Sequence, residues 1–98
     1  MTDKFSRDEF YRNINTNFLI YLGPEKTVSA ELTEVSEVVR RPPQESFSIV
    51  FQISEEIRPD PWNYTVGHPE MGKMEIFLSP FHSDEEGTKL EAVFNFLV

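Results

Sequence analysis

The chain of 98 residues contains no cysteine. Without thiols it cannot form a disulfide, use a thiolate nucleophile or bind a metal through sulfur, and this composition fits a reducing compartment. Glycine is also scarce, with four residues against seven prolines. Because proline fixes one backbone dihedral and glycine frees both, we expect stiff loops.

Long apolar runs are missing as well. The cleanest run is residues 18–22, whereas a transmembrane helix needs about 20 apolar residues. The opening sequence, MTDKFSRDEFYRNI, contains no apolar segment of the kind found in secretory signals. We therefore expect a soluble, cytoplasmic protein with no membrane partner.

Basic residues are few, with nine Lys and Arg against 17 Asp and Glu and a formal net charge of -8. Binding to a nucleic acid or to an anionic membrane requires a basic patch. The one adjacent basic pair is Arg40 and Arg41, which is followed by two prolines. The charge balance therefore predicts that the protein binds neither partner.

Aromatic residues are abundant, with nine Phe, three Tyr and one Trp. They favour the pleated, half-buried surface of a β-sheet. In residues 61–98, three apolar runs are separated by HPEMG at 68–72 and SDEEG at 83–87. Proline presets the start of a turn and glycine accepts the positive φ that completes one. This part of the chain therefore predicts two consecutive β-hairpins.

Alternation of apolar and polar residues predicts strands at 17–22, from 27 onward, and at 47–53, 62–66, 73–81 and 90–96. In the second strand the alternation of Val28, Ala30 and Leu32 slips near Thr33 and resumes at Val35. Such a slip indicates a β-bulge, which bends a strand. We therefore expect an all-β fold, either a strongly bent antiparallel sheet or a small barrel of about six strands.

Two segments lie outside these strands. The sequence SRDE from Ser6 to Glu9 matches a capping box and predicts a short N-terminal helix at about 6–14, with Phe10 and Ile14 facing the body of the domain. Residues 40–45, RRPPQE, predict an exposed linker in extended or polyproline conformation. Length predicts one domain over residues 1–98, with its β body from about residue 17.

The pattern of polar residues offers little chemistry. His68 and His82 each lie beside a hairpin turn, and they form a metal site or a general base only if both turns meet near carboxylates. Unrelated spacing favours two polar turn residues. The run Asp84, Glu85, Glu86 lacks the ordered spacing of a calcium-binding loop.

Other catalytic signatures are missing too. Glu31, Glu34 and Glu37 are typical of a solvent-facing strand, because paired carboxylates for glycoside hydrolysis need a cleft. The sequence has no nucleophile elbow, P-loop or dinucleotide-binding glycine pattern. We predict a protein that is not an enzyme, with no catalytic residue, cofactor or metal.

The best candidates for recognition are Trp62, Tyr64 and Arg58, because these residue types are enriched at binding hot spots. A simpler alternative is that both aromatics share one strand face and close a barrel end. Phe96 lies in a last strand that is apolar on both faces, which indicates cover by the helix or by a partner. We predict these four as binding residues.

Two functions remain open on this basis. The first is a non-enzymatic interaction or assembly module that binds a protein partner or a second copy of itself, through Phe96, Leu97 or Trp62. The alternative is a barrel that binds a carbohydrate or other small molecule, with Trp62 and Tyr64 as a stacking platform. This second function predicts an enclosed apolar pocket of about a few hundred Å³.

The strings ESFSIVFQ, PWNYTVGHPEMGKMEIFLSPF and EGTKLEAVFN resemble a small bacterial family that is known only as a domain of unknown function. Its pattern contains FSLLF, HPELG, ELFLVP and YEAVFN, and the resemblance covers roughly residues 15–95. Two positions depart from it: the family's Pro-Gln-Gly before Tyr64 is Pro-Trp-Asn here, and its Tyr before EAVFN is Leu90. The resemblance implies a small, acidic, all-β protein without established catalytic residues. Some members lie near genes for phage-tail-collar-like proteins, which implies an accessory or assembly role.

Overall fold

The computed structural model describes residues 6–97, and the predicted domain of residues 1–98 extends beyond this part at both ends. In the described part, one short helix is followed by seven strands, and all strand pairs are antiparallel. The elements are α1 (Arg7–Arg12), β1 (Asn17–Gly23), β2 (Lys26–Val35), β3 (Val39–Arg41), β4 (Gln44–Ile53), β5 (Trp62–His68), β6 (Gly72–Asp84) and β7 (Gly87–Leu97).

Six of the strands form a closed barrel. Neighbouring strands follow the order β2-β1-β5-β6-β7-β4, and the pairing of β2 with β4 closes the ring. Strands β5, β6 and β7 form the two predicted hairpins. The predicted fold class, a small antiparallel barrel of about six strands with a short N-terminal helix, is therefore confirmed.

Strand β2 carries the predicted bulge. Its register against β4 shifts between Leu32 and Glu34, so that Thr33 is the extra residue. The Thr33 hydroxyl donates a hydrogen bond to the carbonyl of Val50 at 3.3 Å. Because the bulge bends the strand, β2 pairs with β1 through its first part and with β4 through its last part.

The predicted linker at residues 40–45 is wrong. Val39–Arg41 form β3, which pairs with residues 44–46 of β4 across a turn at Pro42 and Pro43. Arginine and proline are typical of exposed linkers, but the same residues also protect a short edge strand from pairing with other chains. The composition of this segment therefore fits both structures. The segment is exposed as expected, but it is a hairpin.

This hairpin belongs to a three-stranded extension of the barrel. Strand β2 joins β4 only from Ile49 onward, and β6 joins β7 only as far as Glu91. Residues 44–48 of β4 and 93–97 of β7 therefore pair with each other and, on the β4 side, with β3. We call β3 and these two segments the extension.

The barrel interior is filled by the inward residues of every strand. The alternating residues Val28, Ala30 and Leu32 of β2 are buried, and so are alternate apolar side chains of β4 and β6 and Leu90 and Ala92 of β7. One connected cluster contains seventeen of the eighteen buried apolar side chains in residues 6–97, all except Val50. Removal of this apolar surface from water is the main stabilising term of such a fold.

Helix α1 covers one end of the barrel, which we call the helix end. The Ser6 hydroxyl accepts the backbone N–H of Glu9 at 3.3 Å, which is one half of the predicted capping box. The Glu9 carboxylate accepts a hydrogen bond from Arg12 at 2.7 Å. The helix ends at Arg12, two residues earlier than expected. Phe10 is fully buried, and its ring lies 5.5 Å from Phe94 and 6.2 Å from Phe47. In residues 6–97 no helix is long and apolar enough to cross a membrane.

Candidate functional site

Three of the four predicted binding residues lie at the barrel end opposite the helix, near the β1–β2 turn. Trp62 is the first residue of β5 and exposes 67% of its surface. Tyr64 follows on the same strand face and packs partly against the core. Arg58 lies in the loop before β5, where its guanidinium is 3.8 Å from the carboxylate of Glu56. The alternative in which Trp62 closes the barrel end is wrong, because most of its ring is in solvent.

An open groove of about 440 Å³ runs beside Trp62. Its wall contains Tyr21 of β1 and Lys73 of β6, and the Lys73 ammonium lies 5.1 Å from the centre of the Tyr21 ring. The β1–β2 turn at Pro24 forms its far side. We call this feature the Trp62 groove; it combines three aromatic rings with one cation, a composition suited to recognition.

Tyr64 anchors the loop that precedes Trp62. Its hydroxyl donates a hydrogen bond to the backbone carbonyl of Asp60. Partial burial, and secondly the charge of Asp60, raise the pKa of the Tyr64 hydroxyl above its ordinary value. Because the hydroxyl stays protonated, it keeps this bond and positions the first residues of β5.

Phe96 lies at the helix end, away from the other three candidates. Its ring stacks on Phe47 at 5.9 Å, and 40% of its surface is exposed. The neighbouring Leu97 exposes 79% of its surface. The predicted site is therefore two separate surfaces, the Trp62 groove and the exposed part of β7.

The loop of residues 54–61 covers the barrel beside the Trp62 groove. Thr88 of β7 is fully buried, and its hydroxyl accepts the N–H of Ile57 at 3.0 Å. The same hydroxyl lies 2.9 Å from the carbonyl of Ile57 and 3.0 Å from that of Glu55. No sequence pattern indicated Thr88, because its partners lie more than 30 positions away in the chain. The loop and α1 cover the barrel, and in residues 6–97 the barrel interior is occupied by the buried side chains of the core cluster.

His68 holds the HPEMG turn and the end of α1 together. Its Nδ1 accepts the N–H groups of Glu70 at 3.1 Å and of Met71 at 3.3 Å, so Nδ1 carries no proton. The proton therefore lies on Nε2, which donates to the Thr16 hydroxyl at 3.0 Å, and Thr16 donates to the carbonyl of Asn13. The prediction that His68 serves the turn agrees with these bonds.

We expect His68→Ala to destabilise the fold by about 1–3 kcal/mol, because two turn N–H groups lose their acceptor. His68→Asn is the matched control, since an Asn carbonyl accepts the N–H two residues later and preserves the turn. Thermal unfolding of the three proteins tests this role. Equal stability of both variants would show that the hydrogen bonds to Nδ1 contribute nothing.

His82 lies near the other end of β6 and pairs with Asp84. The two side chains are 2.9 Å apart, and the second Asp84 oxygen accepts the N–H of Glu86 at 2.8 Å. The hydrogen bond from His82, followed by that from Glu86, lowers the pKa of the Asp84 carboxyl. Both oxygens of Asp84 thus serve the β6–β7 turn.

The two histidines do not converge. His68 faces Gly72 across the β5–β6 ladder, whereas His82 lies ten residues farther along β6, about 30 Å of extended strand. A metal shared by both imidazoles is therefore excluded, since ligand bonds are about 2 Å long. Among residues 6–97, no group of three His, Asp or Glu side chains could hold a metal ion.

The acidic residues of β2 and its following loop face solvent. Glu31, Glu34 and Glu37 are all exposed. Glu37 lies 3.5 Å from the guanidinium of Arg7, and the Arg7 Nε donates to the carbonyl of Ser36. Glu37 therefore helps to fix α1, whereas Glu31 lines an open depression of about 490 Å³ together with Asp84 and Glu86.

A family model described as a domain of unknown function (DUF6916) matches residues 5–94. Neither the curated proteins nor the solved structures contain a match to the chain. The match confirms the resemblance to a family of unknown function and extends it toward the N-terminus, so that it includes α1.

Proposed function

The chain belongs to the DUF6916 family, and we propose that it is a non-enzymatic protein-interaction module. The observation that carries this proposal is the exposure of Trp62, which has 67% of its surface in solvent at the wall of an open groove. Burial of one such aromatic side chain in an interface removes about 150–250 Å² from water. We place this role in the cytoplasm, because a chain without cysteine fits a reducing compartment.

Charge suggests the chemistry of the partner. Residues 50–98 carry nine acidic and three basic side chains, which is six of the eight net negative charges. The Trp62 groove lies in this half, beside a loop that contains Glu55, Glu56 and Asp60. A partner with a basic contact surface would therefore be attracted by the field of the whole chain. We propose such a protein as the partner of the Trp62 groove.

The filled interior favours this proposal over a small-ligand module. Sites for small molecules are usually concave and bury most of the ligand, whereas the Trp62 groove is a shallow feature on the outside of the barrel. Tyr21, Trp62 and Tyr64 offer ring faces to a sugar, but the described residues supply no enclosure around them. A protein partner can bind to an open groove, because its own apolar side chains cover the exposed rings.

Affinity capture from the native host, followed by titration of the purified partner, tests this function. We expect Trp62→Ala to weaken binding about 30-fold or more, as for a hot-spot aromatic. Tyr11→Ala is the matched control, because Tyr11 exposes 52% of its surface on α1, at the barrel end opposite the groove. We also expect affinity to fall as salt is raised.

Two outcomes would contradict the proposal. One is a partner that binds Trp62→Ala and the wild type equally well. The other is the absence of any captured protein that binds in titration. Binding of a sugar or another small molecule that quenches Trp62 fluorescence would instead support the ligand module.

A further inference from the structure

The extension has two free edges that differ in their protection. Strand β3 forms one edge; it has three residues, two of them arginine, and it ends at two prolines. Short length, charge and proline are the usual devices that keep an edge strand from pairing with another chain. This edge is therefore protected.

The other edge is the second half of β7, and it has none of these devices. Residues 92–97, AVFNFL, contain no charge and no proline. They pair with β4 on one side, whereas on the other side β6 stops at Glu91 and no described strand follows. Val93 and Leu97 expose 58% and 79% of their surfaces. An uncharged, unpaired edge of this length is a template for an added strand.

The sequence of this edge is nearly palindromic. Around Asn95, phenylalanine stands at 94 and 96, and an aliphatic residue stands at 93 and 97. If two copies pair antiparallel with Asn95 opposite Asn95, each Phe94 lies opposite a Phe96, and each Val93 opposite a Leu97. Aromatic and aliphatic cross-strand pairs are favourable. A two-fold axis requires this kind of self-complementary surface.

Charge points to the same occupant. Each chain carries a net charge of -8, so two copies repel each other across most of their surfaces. Residues 92–97 carry no charge. Two copies that meet through this segment therefore place no like charges directly opposite each other. The outer face adds one polar pair, since Asn95 is exposed and two facing amides can hydrogen-bond.

We propose that a second copy of this chain pairs with residues 93–97 of β7, antiparallel about a two-fold axis at Asn95. The two extensions then form one continuous six-stranded sheet between the two barrels. The self-pairing uses no residue of the Trp62 groove, so it holds whether or not that groove binds a partner.

Light scattering coupled to size exclusion, over a wide concentration range, tests the pairing. We expect the wild type to form a dimer whose population rises with concentration. Asn95→Lys places two ammonium groups opposite each other, and Asn95→Glu places two carboxylates there. Each variant alone should raise the dimer dissociation constant about fivefold or more.

A mixture of the two variants supplies the decisive measurement. Asn95→Lys and Asn95→Glu should form a mixed dimer at least as stable as that of the wild type, because opposite charges then face each other. Val39→Lys, on the protected edge of the same extension, is the matched control and should leave the dimer unchanged. A wild type that stays monomeric at all concentrations would overturn the proposal, and so would a dimer that both charged variants leave intact.

Discussion

Replacement of Gly87 by alanine is expected to destabilise this protein more than alanine at any of its other three glycines. A β-carbon at this position would overlap the carbonyl oxygen of Ile53, far inside van der Waals contact. Gly87 also has a φ of +130°, which L side chains rarely adopt. Overpacking costs about 1–3 kcal/mol and an unfavourable φ adds about 1–3 kcal/mol. Since the clash involves backbone of β4, we expect about 4–6 kcal/mol in total, at the upper end of both ranges.

Two other glycines separate these contributions. Gly72 has a φ of +81°, but a β-carbon there would have no atom within 4 Å, so Gly72→Ala reports the φ strain alone. Gly23 has neither feature, and Gly23→Ala should leave stability nearly unchanged. Thermal unfolding measures all three, and a domain of this size loses about 4–8 °C per kcal/mol. Equal losses for Gly87→Ala and Gly72→Ala would show that β4 yields to the methyl group.

The sequence predicted the parts of the fold that depend on neighbours in the chain. The alternation across residues 73–81 identified a strand, of which Met74, Ile76 and Leu78 are buried, and the slip at Thr33 identified the bulge that bends β2. Both signals arise because a strand with one buried face must alternate with a period of two. The capping box at Ser6 worked for the same local reason.

Features that depend on contacts between residues distant in the sequence were not predictable. The close approach of Gly87 to Ile53 requires the pairing of β4 with β7 across more than 30 residues. Trp62 and Phe96 were both predicted as binding residues, but only the antiparallel topology shows that they lie at opposite ends of the barrel. The free edge of β7 is likewise a property of strand order, since it exists only because β6 pairs no farther than Glu91.

Phe10→Ala is the second change with a large expected effect, at about 3–5 kcal/mol for a fully buried phenylalanine. Phe10 has no exposed surface, and its ring joins α1 to Phe47 and Phe94 of the extension. A helix of six residues is too short to be stable by itself. We therefore expect the variant to lose both the burial of one ring and the attachment of the helix.

Hydrogen exchange distinguishes this local detachment from a uniform loss of stability. In Phe10→Ala, amides of α1 should exchange at the rate of an open segment, while amides of the β5–β6 ladder follow the global free energy of unfolding. Tyr11→Ala is the control, because Tyr11 is adjacent but 52% exposed, and it should cost less than about 1 kcal/mol. If α1 stays protected in Phe10→Ala, the contacts of Arg7 with Ser36 and Glu37 hold the helix without the buried ring.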